Sequence, residues 1–157
     1  MNKGERISQL VRELEDESSP ADAADISWHP NYRAYFRCWN EQLYYEAHDV
    51  LEDLWLKTTS DDAKYFKGLI QAAGAFVHLQ KNFEQPAHPK HGRRLSPAVR
   101  LLRLAGKNLE NFGPVRHRFD VNAFRDLLAG YEKRIVDLDY KKNPWSPEIA
   151  PKLILNG

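Results

Sequence analysis

The twelve residues Gly68-Leu-Ile-Gln-Ala-Ala-Gly-Ala-Phe-Val-His-Leu79 constrain the fold more than any other stretch. Only two long polar side chains interrupt them, Gln71 and His78, and a separation of seven stacks both along one helical stripe. Ser60-Asp61-Asp62 supplies an N-cap and first-turn acids ahead of them, so the pattern predicts a long helix running to about residue 83. A helix this apolar belongs at the centre of a domain. Gly68, Gly74 and Ala75 lie close to the polar stripe and would let another helix approach closely. Burying an amide and an imidazole there without partners costs a few kcal/mol each, so both need partners.

Around this element the chain reads as helix after helix. Residues 4–15 place Ile7, Leu10, Val11 and Leu14 on one stripe, and Ser18 to Ser27 is an acidic, small-residue linker. Pro30 opens a short helix whose Tyr32, Tyr35, Phe36 and Trp39 are spaced for core packing. The next helix spans about residues 43–57. After a polar loop from Glu84 to Gly92, Ser96-Pro97 signals a fourth long helix as cap and first helical position, and Gly113-Pro114 ends it. Asp120 caps a last helix through Phe124, Leu127, Leu128, Tyr131 and Ile135. No segment alternates with a two-residue period, so no sheet is expected. The tail from Asn143 holds three prolines; its Trp145, Ile149, Leu153, Ile154 and Leu155 predict an extended strap lying on the helices. The expected architecture is all-α: a compact bundle of about five helices in one domain over 1–157. Residues 1–30 form an N-terminal helix and linker, 31–137 the helical core, and 138–157 an extended Pro-rich tail.

Composition narrows the function classes. With 157 residues, 42% of them apolar, the chain can bury a single core. No run of about 18 uncharged apolar residues exists, which excludes a membrane-spanning helix. The opening Met-Asn-Lys-Gly-Glu-Arg lacks the apolar stretch of a signal peptide, and the lone Cys38 suits a reducing compartment, so a cytoplasmic location is expected. The near-zero net charge hides a split: residues 1–62 carry 14 acids and 6 bases, residues 63–157 carry 8 acids and 17 bases. Between Glu84 and Glu110 lie Lys90, Arg93, Arg94, Arg100, Arg103 and Lys107 and no acid. This 90–118 segment could attract an anion or nucleic acid, although nucleic-acid domains are usually basic overall, and nucleic acid is the less expected partner. The alternative is that acidic and basic helices pack together within one chain or between subunits, which leaves a homo-oligomer open.

The densest chemistry lies in Asn40 to Trp55. Leu43, Ala47, Val50, Leu51, Leu54 and Trp55 form a buried face, with Asp49 and Asp53 on the solvated side. His48 and Glu52, four residues apart at the flank of that face, can converge on one atom or pair with each other. A short turn joins this helix to the next, so the two are expected to pack as an antiparallel hairpin. Gln71 and His78 could then meet His48 and Glu52 across the seam. Against this, Gln71 and His78 fall on the same side as Lys64, Lys67 and Lys81, which would make that stripe the wetter face. Three readings follow: a hydrogen-bonded network fixing helix register, a pocket for a small ligand, or an acid–base or metal-assisted site in which His48, Glu52 and His78 supply three ligands. No phosphate loop or nucleophile elbow is present. His88, His91 and His117 sit in basic loops where surface exposure is the default, and His29 belongs to a turn.

The run Trp39-Asn40-x-x-x-Tyr44-Tyr45-Glu46-Ala47-His48-Asp49-Val50-Leu51-Glu52-Asp53-Leu54-Trp55, followed by Phe66-Lys-Gly-Leu-Ile-Gln71-Ala-Ala-Gly-Ala-Phe-Val-His78, resembles domain-of-unknown-function family 309. Asn40, Glu46, His48, Glu52, Trp55, Gly68, Gln71 and His78 fill that family's motif positions. Asp49 stands where Glu is usual. A longer loop after Lys81-Asn82-Phe83 replaces the family's short Gly-Asn turn. The resemblance implies a small all-helical prokaryotic cytoplasmic protein with no established activity, cofactor or metal. The expected function is a small-ligand or protein binding module whose polar site comprises Asn40, Glu46, His48, Glu52, Trp55, Gln71 and His78. The alternatives are a hydrolase-like enzyme using His48 as base and Glu52 as its orienter, and anion or nucleic-acid binding through 90–118.

Overall fold

A computed structural model describes residue 5, residues 7–12 and residues 25–156. Leu14, the expected linker from Ser18 up to residue 24, and the first four residues lie outside the described residues. Among the described residues the chain forms α1 (Pro30–Asn40), α2 (Tyr44–Trp55), α3 (Asp62–Glu84), α4 (Leu95–Leu109) and α5 (Val121–Asp137), with helical turn at 7–12. The all-α expectation holds, with one correction. Val115–Arg116 (β1) and Phe119–Asp120 (β2) pair antiparallel across a two-residue turn. A ladder this short carries no alternating pattern that a sequence could display.

Helix boundaries follow local chemistry. His29 caps α1, its Nδ1 accepting from Asn31 N at 3.1 Å, with Pro30 at the first helical position. Asp120 caps α5 by accepting from Ala123 N at 2.9 Å. The expected Ser96-Pro97 start is corrected by two residues: α4 begins at Leu95, Arg94 is the cap residue, and no side chain caps it. Pro97 is tolerated there because the first-turn N–H groups have no helical acceptor to lose.

α3 is the hub, packing against α2 on one side and α4 on the other, while α1 packs on α2 and α5 on α4. Its buried Phe66, Leu69, Ala72, Ala73 and Phe76 are matched by a run of aromatic rings. Trp39 lies 4.6 Å from Phe76 and 5.6 Å from Phe124, and Phe76 lies 5.0 Å from Tyr131, ring centre to ring centre. Edge and tilted contacts of this kind add to the roughly 2–3 kcal/mol that burial of each large apolar side chain contributes. Gly68 marks the tightest approach. A Cβ there would stand 2.7 Å from Leu109 Cγ, so only glycine lets α4 come this close without displacing that leucine.

The tail is an extended strap, as the prolines imply. Trp145 is fully buried and its Nε1 donates to Tyr44 Oη at 3.2 Å. Asn40 grips the strap twice: its Nδ2 donates to Leu153 O at 2.8 Å, and its Oδ1 accepts from Leu153 N at 2.7 Å. Trp39 Nε1 donates to Pro151 O at 2.9 Å. Ile149 and Ile154, expected to dock, instead face solvent, Ile154 at 77% exposure. The strap is fixed by backbone hydrogen bonds and by Trp145 and Leu153, which leaves the alternate side chains pointing outward.

Candidate functional site

α2 buries Ala47, Val50, Leu51 and Leu54 and so leaves Tyr45, His48, Asp49 and Glu52 on its outer flank. His48 stands between two carboxylates. Its Nδ1 lies 3.0 Å from Asp49 Oδ1, and its Nε2 lies 3.8 Å from Glu52 Oε2, an ion-pair distance rather than a hydrogen bond. The Tyr45 ring stacks beside the imidazole, 6.1 Å away and 27° from parallel. His48 is 32% exposed and Glu52 45%. Beside them opens a groove of about 540 Å³, lined by Asp49, Glu52, Asp53 and Asn31 among polar groups, with Ile7, Val11 and Val50 as its apolar part. Asn31 donates from Nδ2 to Val50 O at 2.9 Å, tying the start of α1 to α2.

The polar stripe of α3 faces a different neighbour. Asn108 of α4 donates to Gln71 Oε1 at 2.6 Å, and Arg94 Nη1 lies 3.0 Å from His78 Nδ1. The expectation that Gln71 and His78 meet His48 and Glu52 across the α2–α3 seam is therefore corrected. Their partners come from α4 and the loop before it. Gly68 and Gly74 sit on that same side, Gly74 facing Leu101, so the small residues and the polar stripe serve one close helix pair. Because arginine can only donate, His78 Nδ1 must accept, which puts the ring proton on Nε2. Partial burial and then the charges of Arg94, Lys81 and Arg100 push the His78 pKa down to about 4, so the ring is neutral at neutral pH.

The remaining expected site residues have separate settings. Asn40 holds the strap. Glu46 lines a smaller hollow of about 150 Å³ with Cys38 and Leu43. Trp55 is partly buried against the core. Among the described residues no group of three His, Cys, Asp or Glu side chains could hold a metal ion, so His48, Glu52 and His78 do not assemble into the three-ligand site considered from the sequence.

Residues 32–88 match the family described as Domain of unknown function (DUF309). Over that segment the chain is similar to the DUF309 family. No curated protein and no solved structure matches the chain. The matched segment takes in most of α1 and all of α2 and α3, and so includes His48, Glu52, Gln71 and His78. Arg94 and Asn108, which answer His78 and Gln71, lie beyond it. Among the described residues no helix is long and apolar enough to cross a membrane.

One polar cluster escaped the sequence reading. His117, expected in an exposed loop, has its Nε2 2.8 Å from Asp62 Oδ1. Arg116 donates to the same oxygen from Nε at 2.9 Å and from Nη2 at 2.6 Å, and reaches Asp61 Oδ1 at 2.9 Å. Opposite charges 55 positions apart leave no local pattern. The one available sign was two adjacent acids at the head of α3 and two bases after Pro114.

Proposed function

We propose that the chain is a binding module whose site is the groove beside α2 and whose ligand is a small organic cation. The carrying observation is the lining of that groove: Asp49, Glu52 and Asp53 contribute three carboxylates next to the apolar surface of Val50, Ile7 and Val11. An alkylammonium ion has the matching parts, a charged head for the carboxylates and methylene groups for the apolar surface. His48 acts as a positioning residue, bonded to Asp49 and close to Glu52. Accessibility also favours this reading. Among the motif residues, Asn40, Gly68, Gln71 and His78 each contact another element, whereas His48 and Glu52 reach solvent.

Calorimetric titration with spermidine is the test. Glu52→Gln and Asp53→Asn should each weaken binding by about ten-fold, equivalent to about 1.4 kcal/mol. Absence of binding heat in the unaltered protein, or equal affinity in the doubly substituted protein, removes the reading.

A further inference from the structure

We propose that Lys81, Arg94 and Arg100, together with the Nε2–H edge of His78, form a binding site for a phosphate group. The site lies on the α3–α4 side of the bundle and shares no residue with the α2 groove. His78 and Lys81 are three apart on α3 and so project from one helical face. Arg94, at the head of α4, is placed against that face by its 3.0 Å contact with His78. Arg100 is exposed on α4, six positions after Arg94 and next to Leu101, whose side chain rests against the Gly74 position one turn before His78. The charges are felt mutually: Arg94, Lys81 and Arg100 all disfavour protonation of His78, and Arg94 and Lys90 lower the pKa of Lys81. Glu84 is the opposing charge acting on Lys81. Among the described residues no carboxylate stands within ion-pair distance of Lys81, Lys90 or Arg100.

The cluster is held in place before any ligand arrives. Asn82 Nδ2 donates to Gly92 O at 3.0 Å, and Gly92 N donates to His88 O at 2.8 Å, which folds the loop carrying Lys90 and Arg94 back onto the end of α3. A side chain at Gly92 would overlap the Pro86 carbonyl, so the turn depends on glycine. Asn143 donates to both Leu79 O and Asn82 Oδ1, bracing the loop's anchor. Like charges kept together by packing repel one another, and a dianion relieves that repulsion while using the guanidinium fork of Arg94 and the ring N–H of His78. The acid-free first turn of α4 adds a favourable dipole at the same end.

The phosphate could belong to a small phosphorylated molecule or to a nucleic-acid backbone. Imidazole resonances of His78, identified by their loss in His78→Gln, can be followed by NMR through a pH titration in three arms: sodium pyrophosphate, a short single-stranded RNA, and sodium chloride at matched ionic strength. A bound dianion should raise the His78 midpoint by about one pH unit or more beyond the chloride arm. Arg100→Gln and Lys81→Gln should remove that difference, while Lys107→Gln, outside the cluster, should keep it. Saturation by pyrophosphate with no dependence on RNA length assigns a small-molecule source; affinity that grows with RNA length assigns the backbone. Equal midpoints in the phosphate and chloride arms, or a difference that persists in both Arg100→Gln and Lys81→Gln, overturns the proposal.

Discussion

At the β1–β2 turn, His117 and Arg116 converge on one oxygen of Asp62, which is 13% exposed. At the α3–α4 seam, His78 meets Arg94, with Lys81 and Arg100 nearby. The first cluster matches charge and uses it to hold backbone in an unfavourable shape. His117 and Arg118 have φ of 47° and 66°, left-handed values that cost about 1 kcal/mol or more each in residues with a Cβ. Tyr32 and Tyr65 hydroxyls bond the carbonyls of His117 and Arg116, and Asn156 N bonds that of Arg118, so every residue of the turn is held. The second cluster gathers charges of one sign, with no carboxylate at ion-pair distance from Lys81 or Arg100 among the described residues, and relies on helix packing to keep it together. One histidine is part of a fastening; the other stands where an added anion would complete the chemistry.

The largest test of this contrast removes the shared acceptor. Asp62→Ala removes the carboxylate that His117 and Arg116 share, leaving Arg116 with only the exposed Asp61, and should destabilise the fold by about 3 kcal/mol in urea denaturation, the range for breaking a partly buried charge network. A loss under about 0.5 kcal/mol would mean that the turn is held by the bonds of Tyr32, Tyr65 and Asn156 to its carbonyls. Next in size is the strap, which supports the same turn through the Phe119–Leu155 bridge. Asn40→Ala deletes both bonds to Leu153 and should cost about 2 kcal/mol, with faster amide exchange at residues 153–156 than in α3.

What the sequence displayed depended on how far apart the cooperating residues lie. The Pro30 helix start, the Asp120 cap, the aromatic spacing of Tyr32, Tyr35, Phe36 and Trp39, and the buried face of α2 all rest on neighbours within one or two turns, where local sequence signals expose them. Gln71 and His78 were legible as groups in need of partners, because an apolar helix cannot leave them bare. Their partners were not: Asn108 is 37 positions away and Arg94 is 16, and nothing in a helical wheel distinguishes α2 from α4 as the facing surface. The β1–β2 turn was invisible for another reason. Tight hairpins with two left-handed residues are ordinarily marked by Asn-Gly, and His-Arg conveys no such signal. The exposed Ile149 and Ile154 mislead similarly, since a strap anchored through its backbone need not bury every apolar side chain.

Acid sensitivity of His78 is the third test and is read at the seam. His78 has a pKa of about 4 when folded against a reference of 6.5. Between those values the unfolded chain carries a proton that the folded chain does not, so stability must fall as pH drops from about 6.5 to about 4. The ring is partly exposed, and allowing for solvent screening the effect is about 1–2 kcal/mol. His78→Gln keeps an acceptor for Arg94 but cannot titrate, so its denaturation midpoint should vary less across that window than that of the unaltered protein.

The smallest effect separates the two clusters by sign. Lys81→Gln removes one of the charges that disfavour protonation of His78, so the ring's midpoint should move up and the acid-sensitive window should narrow from below. Because Lys81 is itself disfavoured by burial and by Arg94, its loss should leave stability at pH 7 unchanged or raise it by about 0.5 kcal/mol. Added salt should act in the same direction at the seam by screening repulsion, whereas at the turn it weakens the attraction of Asp62 for Arg116. Urea midpoints of Lys81→Gln and Asp62→Ala at low and high salt compare the two directly. If both substitutions destabilise, and salt weakens both regions alike, then the α3–α4 charges are paired in solution and the distinction between a fastened cluster and an open one disappears.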